Sequence, residues 1–505
     1  MRTKMRPLVA FLTAILATLG SCELLNDFDM ESLADNQFYA QDMVTGDYYK
    51  LTAEKLYEGE TCVIWAEEGS GVTWNVAMDI ASEYDSKIRG MMIEKFSVEG
   101  DIRLVDNNQL VVYRCNNILD LADWLTDEDG KLTILLLDIR DGHSPPQKDS
   151  YVAGYFFSGN FWPKGRFTAA GGTHYSNAKD MIYVDTSPGL DKQKNQAYAT
   201  FAHELQHLIN WVTSCFFRGN LMETWIDEGL SSQAEYFYLG GNLPERYNWF
   251  SNDRLGTIER GNNFFVWGNH EPDAILDDYA TVYLFFRWLY LQADANLKQD
   301  IFKKISASPN YHYEAVTEVA RDINNDWSDW EPLLRTWLAA NYYPGNTVYG
   351  YKGDTYLQGK IKARYTTGSS IQLYPGEGVY SVLGSSFTPS AGGGKNIRYA
   401  GLSGSSSAID IDSPYAGNIL LTFNANPNKD GAREIGRLAT PVEAVPFSVS
   451  ASVSVPIILT LGEDNPAERF NGLYVLDARD VLGRNRETEM SGAFLRPPYQ
   501  LMVEQ

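Results

Sequence analysis

Two histidines and a glutamate stand close together in the segment His203-Glu204-Leu205-Gln206-His207, an HExxH pattern. Residues four positions apart lie on the same face of an α-helix, so both imidazoles can reach a single metal ion. The glutamate between them then lies beside the coordination position that the histidines leave open. Because the chain has only six histidines in 505 residues, this spacing seldom arises by chance. The pattern predicts a metal centre.

The residues around this pattern have the periodicity of an amphipathic helix over positions 196–214. At about 100° per residue, the apolar residues fall on one side of the helix, whereas His203 and His207 fall on the other. The apolar side consists of Phe201, Leu205, Leu208 and Val212. The sequence therefore predicts a helix that packs on a core with one side and presents both histidines on the opposite side.

A catalytic zinc ion typically has three protein ligands and one water, so a third ligand must come from another element. The segment 224–239 predicts a second helix, with apolar residues on one side and Glu228 projecting from the other. Twenty residues separate His207 from Glu228, enough for the first helix to end and a second helix to return. Glu228 is the expected third ligand, and Glu235, about two turns further along, is the alternative.

The segments FAHELQHLINW and WIDEGL resemble the gluzincin metallopeptidases, and most of all their hyicolysin-type branch. The runs LTILLLDIRDG, YVAGYFF and MIYVDT resemble the same branch, so the resemblance covers roughly residues 36 to 343. It implies an α+β, zincin-like catalytic domain, in which a twisted mixed sheet and helices form a cleft above the HExxH helix. It also implies one Zn²⁺ per chain bound by His203, His207 and Glu228, with Glu204 as general base.

The resemblance further implies an oxyanion donor after the ligand glutamate, because related gluzincins have a tyrosine or a histidine there. Tyr279, in DDYATVYLFFRWL, is the expected donor, and Tyr283 and His270 are the alternatives. Packing in the core explains Tyr279 equally well, since the chain has 31 tyrosines. In thermolysin-like gluzincins an acid four residues after the ligand glutamate orients a histidine. Ser232 stands there in this chain, so the partners of the histidines are expected to differ.

The expected reaction is hydrolysis of internal peptide bonds in a protein or peptide substrate. The segment GxMEN, by which zinc aminopeptidases bind a free substrate N-terminus, does not occur in the chain. The aromatic run 151–157 predicts a strand, either as the cleft edge that pairs with an extended substrate or as ordinary sheet core. Two other functions stay open. One is a zinc aminopeptidase, and the other is a surface-binding protein or adhesin that keeps the scaffold without turnover.

The first residues predict export from a bacterial cell. Basic residues precede an apolar run of 12 residues at positions 8–19, which is too short to span a bilayer and is typical of a signal peptide. The run ends in LGSC, residues 19–22, which resembles a bacterial lipobox. Lipid on Cys22 would anchor the chain in the cell envelope, at the outer membrane or the cell surface. A secretory signal in which Cys22 is incidental is the alternative.

The charge and the cysteines limit the expected partners. The chain has 65 acidic and 42 basic residues and a net charge of −23, which repels phosphate backbones and anionic lipid headgroups. Nucleic acid is therefore not an expected partner, and charge does not attach the chain to a membrane. Cys62, Cys115 and Cys215 allow at most one disulfide among them, and each is more typical of a small buried apolar residue.

The pattern along the chain predicts several helices and strands. Helical periodicity covers residues 74–95, 116–125, 196–214, 224–239, 277–292, 297–306, 313–321 and 330–341. Strands are predicted at residues 133–139, 151–157 and 181–185, and after residue 343 short β-rich runs alternate with turns rich in glycine and serine. Those later runs include residues 371–373, 419–423, 447–461 and 473–476. The last part of the chain is expected to be an all-β, sandwich-like domain.

These patterns divide the chain into five expected parts. They are a lipoprotein signal peptide (1–21), a tether (22–35), the N-terminal α/β part of the catalytic domain (36–195), its helical part with the zinc site (196–343) and a β-rich accessory domain (344–505). The oligomeric state is not predicted.

Overall fold

The computed structural model describes residues 33–439, apart from short gaps. The gaps are 107–108, 146–150, 163, 170–171, 193, 215–220, 242, 254–255, 262–263, 266–274, 344, 362, 384–392 and 403–417. Several predictions lie outside the described residues. They concern the signal peptide (1–21), lipidation of Cys22, most of the tether, Cys215, His270 and the strands expected after residue 439.

The described residues form an α+β fold. Its strands are β1 (Gln37–Gln41), β2 (Tyr48–Glu58), β3 (Cys62–Glu67), β4 (Gly100–Asp106), β5 (Gln109–Cys115), β6 (Leu132–Leu137), β7 (Gly154–Phe156), β8 (Gly165–Ala169), β9 (Gly172–Ser176), β10 (Met181–Asp185), β11 (Ser370–Leu373), β12 (Gly378–Val382), β13 (Ile397–Leu402), β14 (Ile419–Asn424) and β15 (Glu434–Arg437). Its α-helices are α1 (Trp74–Glu83), α2 (Arg89–Lys95), α3 (Ile118–Leu125), α4 (Lys194–Thr213), α5 (Thr224–Tyr238), α6 (Pro244–Asn252), α7 (Ile275–Gln292), α8 (Leu297–Ala307), α9 (Tyr313–Ile323) and α10 (Trp330–Tyr342).

The N-terminal part contains a mixed six-stranded sheet in the order β1-β2-β3-β6-β10-β7. The central strands β3, β6 and β10 are parallel, and the outer pairs are antiparallel. The sequence LTILLL of β6 is apolar at all but one position and buried at every one, as expected for a strand covered on both faces. The strands predicted at residues 133–139 and 181–185 are therefore confirmed. Of the run 151–157, only Gly154–Phe156 is a strand.

The sheet curls, so that its two edge strands approach each other on one face. The Gln41 amide in β1 donates to the Tyr155 hydroxyl of β7 (3.3 Å), and the Tyr183 hydroxyl donates to the Tyr39 carbonyl (3.1 Å). Apolar and aromatic side chains of β1, β6, β7 and β10 form one core on this face. Helix α4 packs on the opposite face, where Phe156 of β7 contacts Trp211. The curl thus leaves β7 as an edge beside α4.

Helix α5 packs against both α4 and α7. These three helices match the helices predicted at residues 196–214, 224–239 and 277–292, and α8, α9 and α10 match the later three predictions. The helix predicted at residues 74–95 is instead two helices, because a π-helical turn at Tyr84–Ile88 separates α1 from α2. A Cβ atom at Gly229 would lie 2.2 Å from the Phe286 ring, so glycine permits α5 and α7 to approach closely.

Two small antiparallel sheets follow the helices. One has the strand order β12-β14-β13, and the other pairs β11 with β15. The first sheet shares one core of buried side chains with α4, α7 and α10. Tyr380 of β12 donates its hydroxyl to the Leu338 carbonyl of α10 (2.6 Å). The domain boundary expected at residue 343 and the sandwich architecture stay predictions.

Two smaller findings concern the cysteines and the membrane. Cys62 and Cys115 are both buried free thiols, as expected for small apolar residues, so they do not form a disulfide with each other. Within the described part of the chain, no helix is long and apolar enough to cross a membrane.

Candidate metal centre

The structure brings His203 and His207 of α4 together with Glu228 of α5. The two Nε2 atoms are 3.1 Å apart, and the Glu228 Oε2 atom lies 3.2 Å from His203 Nε2 and 3.5 Å from His207 Nε2. Zinc binds nitrogen and oxygen ligands at about 2.0–2.1 Å, and tetrahedral geometry then separates the ligand atoms by about 3.3 Å. The three atoms therefore have the spacing of three corners of a zinc tetrahedron.

Two carboxylates orient the histidines. The Nδ1 atom of His203 lies 2.5 Å from Glu235 Oε1, and the Nδ1 atom of His207 lies 3.0 Å from Asp227 Oδ2. An ionised carboxylate only accepts hydrogen bonds, so each Nδ1 carries the hydrogen and each Nε2 directs a lone pair inward. Two lone pairs and the Glu228 carboxylate oxygen thus converge on one point. This donor set fits a metal cation.

The electrostatics of the pocket lead to the same conclusion. Burial lowers the pKa of His203 to about 3, which keeps this imidazole neutral. Burial also opposes a charge on His207, but the Asp227 and Glu228 carboxylates outweigh it and raise the pKa of His207 well above its ordinary value. Burial likewise opposes ionisation of Glu228, but the two histidines outweigh it and lower its pKa. The pocket therefore stabilises an ionised carboxylate together with one positive charge, which a bound cation would supply in place of the His207 proton, leaving both Nε2 lone pairs directed inward.

Glu204 lies beside these ligands and is fully buried. Neither of its carboxylate oxygens has a hydrogen-bond partner among the described residues. Burial raises the pKa of Glu204 well above its ordinary value, and the nearby Phe156 amide only partly opposes this rise. A buried carboxyl group without a protein partner is costly unless a ligand or water binds it. Its position fits a group that exchanges a proton with a bound water.

Glu235, the alternative third ligand, has a different place in the structure. It binds the outer nitrogen of His203 and lies behind this imidazole, whereas Glu228 lies among the inward-facing nitrogen atoms. Ser232, four residues after Glu228, has a buried hydroxyl without a partner in the described residues. Glu235 follows Glu228 by seven residues, which is about two helical turns. The acid that orients a histidine in this chain therefore lies about one turn beyond Ser232, the position that holds such an acid in thermolysin-like gluzincins.

Sequence reasoning missed two residues that support the site. Asp227 precedes the expected ligand directly, and its other carboxylate oxygen accepts from Asn210 Nδ2 (2.5 Å). Arg246 of α6 donates to Glu235 Oε1 (3.3 Å). The position of Asp227 beside Glu228 is a signal that could have been used. Arg246 gives no signal, because its contact depends on how α6 packs.

Tyr279 is a buried residue of α7 near this centre. Its ring lies 5.1 Å from the guanidinium carbon of Arg246, and it packs in the apolar core on the curled face of the sheet. Tyr283, one turn later, is fully buried, its hydroxyl has no partner in the described region, and its carbonyl accepts from Gln233. The role of Tyr279 as oxyanion donor stays a prediction.

The edge strand β7 passes beside Glu204. The Asp185 amide donates to the Ala153 carbonyl (2.9 Å), so the alternation of an antiparallel pair directs the backbone groups of Gly154 and Phe156 away from β10. A Cβ atom at Gly154 would lie 3.3 Å from Glu204 Cγ. The strand therefore has outward-facing backbone groups next to the candidate base.

No protein-family model matches this chain. The neutral metalloprotease ShpI of Staphylococcus hyicus is 28% identical to it over 324 residues, which are 63% of this chain and 64% of that protein. The puromycin-sensitive aminopeptidase of Caenorhabditis elegans is 33% identical over 78 residues, which are 15% of this chain and 8% of that protein. Similarity to a metalloprotease, together with the group formed by His203, His207 and Glu228, supports a zinc metallopeptidase.

Proposed function

We propose that this chain is a zinc-dependent endopeptidase, with one Zn²⁺ bound by His203, His207 and Glu228. The observation that carries the proposal is the convergence of these three ligand atoms, 3.1–3.5 Å apart, beside the buried carboxyl group of Glu204, whose oxygens have no hydrogen-bond partner of normal geometry among the described residues. Similarity to a neutral metalloprotease supports the same reaction class. The substrate is a protein or a peptide.

The side chains of the site suit peptide hydrolysis. Zinc held by His203, His207 and Glu228 would supply Lewis acidity, which would lower the pKa of a coordinated water to about 7 and polarise a carbonyl group. Because burial raises the pKa of Glu204, its carboxyl group would act as the base in its ionised form, which the nearby positive charge of a bound metal would favour; it would then accept the proton of the attacking water and transfer it to the leaving amine. Asp227 and Glu235 keep both imidazoles in the tautomer that binds metal. Tyr279 is the proposed donor to the oxyanion.

The edge strand β7 supports cleavage within a peptide chain. Gly154 and Phe156 direct backbone groups away from β10 next to Glu204, so an extended substrate that reaches this buried edge would be able to pair with it as an added strand. Backbone pairing needs no free substrate N-terminus, which favours an endopeptidase. The 78-residue similarity to an aminopeptidase is the observation in favour of the second candidate, a zinc aminopeptidase. Peptides with blocked and with free N-termini distinguish the two, because an aminopeptidase cleaves only the free ones.

The cellular location belongs to the proposal as well. Lipid on Cys22 would attach the chain to the bacterial envelope, because several acyl chains on one residue give stable anchoring. Expression in a bacterium with a radiolabelled fatty acid tests this directly. Label in the wild type but not in Cys22→Ala supports the anchor, whereas label in neither protein supports a cleaved secretory signal.

Zinc content and casein cleavage, measured on residues 23–505, test the central proposal. We expect one zinc per chain in both the wild type and Glu204→Gln, with cleavage in the wild type alone. General-base catalysis typically contributes about 10²–10⁴-fold, so the glutamine variant should lose at least that much activity. Zinc in both proteins without cleavage in either would favour the binding-protein alternative. A wild type without zinc would refute the metal centre.

A further inference from the structure

Arg246 is a buried cation close to the proposed zinc site. It lies on α6, outside both helices that carry the expected ligands, and only 4% of its surface is exposed. A guanidinium group keeps its charge in proteins and has five N–H donors in a fixed planar arrangement. Its burial is costly unless its neighbours bind that charge. The residues that do so connect it to the metal centre.

The first of these residues is Glu235. Its Oε1 atom accepts from Arg246 Nη2 (3.3 Å) and from His203 Nδ1 (2.5 Å). Its other oxygen, Oε2, has no hydrogen-bond partner among the described residues. Both hydrogen bonds that the described residues make to this carboxylate therefore meet at one atom. Without the arginine, His203 alone would determine where the carboxylate points.

The second is Tyr279, the proposed oxyanion donor. The guanidinium carbon of Arg246 lies 5.1 Å from the centre of its ring, within the range of a cation–π interaction. Arg246 thus contacts both the residue that orients a proposed zinc ligand and the residue proposed to bind the oxyanion. These two residues lie on different helices, α5 and α7, and the arginine on α6 joins them.

We infer that Arg246 is a positioning residue of the zinc site, which holds Glu235 against His203 and thereby fixes the direction of the His203 lone pair. The inference rests on the proposed function only in requiring that the site binds zinc. Residues that orient metal ligands typically contribute 10–100-fold to metal affinity. Loss of Arg246 should therefore weaken zinc binding even when no substrate is present.

Arg287 of α7 offers a matched control. It is equally buried, at 4% exposure, it pairs with the Asp354 carboxylate (3.0 Å) and it stacks on the Tyr236 ring (3.6 Å). It therefore has the same kinds of partner as Arg246, a carboxylate and an aromatic ring. Its carboxylate partner, however, does not bind a histidine of the site. Arg287→Met removes a comparable set of interactions without loosening His203.

The experiment measures zinc affinity by competition with a chromophoric chelator, using the full mature chain. We expect Arg246→Met and Glu235→Gln each to weaken zinc binding about 10–100-fold. If the arginine acts through Glu235, the double variant should bind zinc within threefold of Glu235→Gln alone. Arg287→Met should stay within threefold of the wild type. Unchanged affinity in Arg246→Met, or losses that multiply in the double variant, would overturn the inference.

A second variant covers the case in which Arg246→Met does not fold. Arg246→Lys keeps the positive charge but lacks the planar arrangement of donors. It should weaken zinc binding at least threefold and shift the visible absorption bands of the cobalt-substituted protein, because the ligand field of His203 changes. Unchanged affinity with unchanged bands in the lysine variant would overturn the inference.

Failure of the inference can be distinguished from failure of the proposed function. A wild type that binds zinc but cleaves no peptide would refute the proposed function, and the affinities would still test the role of Arg246. A wild type that is active, with an Arg246→Met variant of equal zinc affinity, would refute the inference alone. A wild type without zinc would refute both.

Discussion

The helices α4 and α5 and the segment after α10 contribute to this molecule in different ways. The three proposed ligands and the proposed base, His203, Glu204, His207 and Glu228, lie within the two neighbouring helices α4 and α5. The later segment instead makes its contacts with distant helices, as in the bond from Trp288 Nε1 to the Val348 carbonyl (2.9 Å). The difference shows that the reactive groups are set locally, whereas the support around them comes from far along the chain.

The later segment also contacts α6, the helix that carries Arg246. The Lys360 carbonyl accepts from the Ser251 hydroxyl (3.0 Å), and the Lys360 ammonium lies 5.2 Å from the Tyr247 ring centre. A buried ion pair between Arg287 and Asp354 fastens the same segment to α7. The segment therefore holds two helices that border the zinc site. The following predictions test whether it supports stability and the α4–α5 pair supports metal binding.

The largest effect is expected for the ligand itself. Glu228→Gln removes the carboxylate from the group of three proposed ligands and leaves the two imidazoles. Zinc affinity should fall by roughly a thousandfold or more, because a ligand contributes more than an orienting partner, whose loss costs about 10–100-fold. Peptide cleavage should disappear with the metal. Glu235→Gln is the control, and a larger loss of zinc in that variant than in Glu228→Gln would exchange the two assignments. Chelator competition on both variants decides between them.

The next effect concerns the distant support. Asp354→Asn breaks the buried pair with Arg287, in which both side chains are almost fully buried. Breaking such a pair typically costs about 3–5 kcal/mol, because it leaves a charge buried without its partner. Denaturant unfolding measures the loss, and zinc affinity should change by less than threefold. The exposed pair of Lys304 with Asp322 is the control, so Asp322→Asn should cost at most about 1 kcal/mol. Equal losses in both variants would contradict the comparison.

A smaller effect is expected behind His207. Asp227 accepts from both His207 and Asn210, and an asparagine at position 227 has only one accepting oxygen for these two donors. Asp227→Asn should therefore weaken zinc binding about 10–100-fold, as measured by chelator competition. Ser232→Ala is the control, since its hydroxyl has no partner in the described residues, and it should leave the affinity unchanged. A strong effect of the alanine variant would mean that the orienting group was misassigned.

Much of the site could be predicted because its signals are short-range. The histidines of α4 and Glu228 of α5 have fixed helical spacing, and the structure brings their atoms together. Glu235 was only the alternative ligand, and its contact with the outer nitrogen of His203 could not be predicted, because spacing does not tell which side of an imidazole a carboxylate reaches. Arg246 was missed entirely, since nothing near it in sequence shows that α6 packs against α5.

The same difference between short-range patterns and long-range contacts applies to the prediction of the helices and strands. Long periodic helices such as α4 and compact buried strands such as β6 were predicted to within a few residues, because their patterns cover many positions. In the later sheets, the runs at 371–373 and 419–423 correspond to β11 and β14. The strands β12, β13 and β15 were missed, and each of them contains a glycine, a residue depleted in strands, whereas β11 and β14 contain none. Pairing with distant strands, rather than local preference, determines such strands.

The smallest effect concerns the contact between α5 and α7. Alanine normally stabilises a helix by up to about 1 kcal/mol relative to glycine, so Gly229→Ala would be favourable without tertiary contacts. Its Cβ atom would, however, lie 2.2 Å from Phe286, and overpacking of this kind costs about 1–3 kcal/mol. The net destabilisation should be at most about 2 kcal/mol in denaturant unfolding. Because Glu228 directly precedes Gly229, a shift of α5 at this position would displace the proposed ligand, and zinc affinity should fall as well.

A second substitution shows whether the Phe286 ring causes that loss of zinc. Phe286→Leu leaves space for the new methyl group, so Gly229→Ala with Phe286→Leu should regain most of the wild-type affinity even though the smaller side chain lowers stability. If the double variant binds zinc as weakly as Gly229→Ala, the packing of α7 against α5 does not position Glu228, and the hydrogen bonds between α4 and α5 alone determine the geometry of the metal centre.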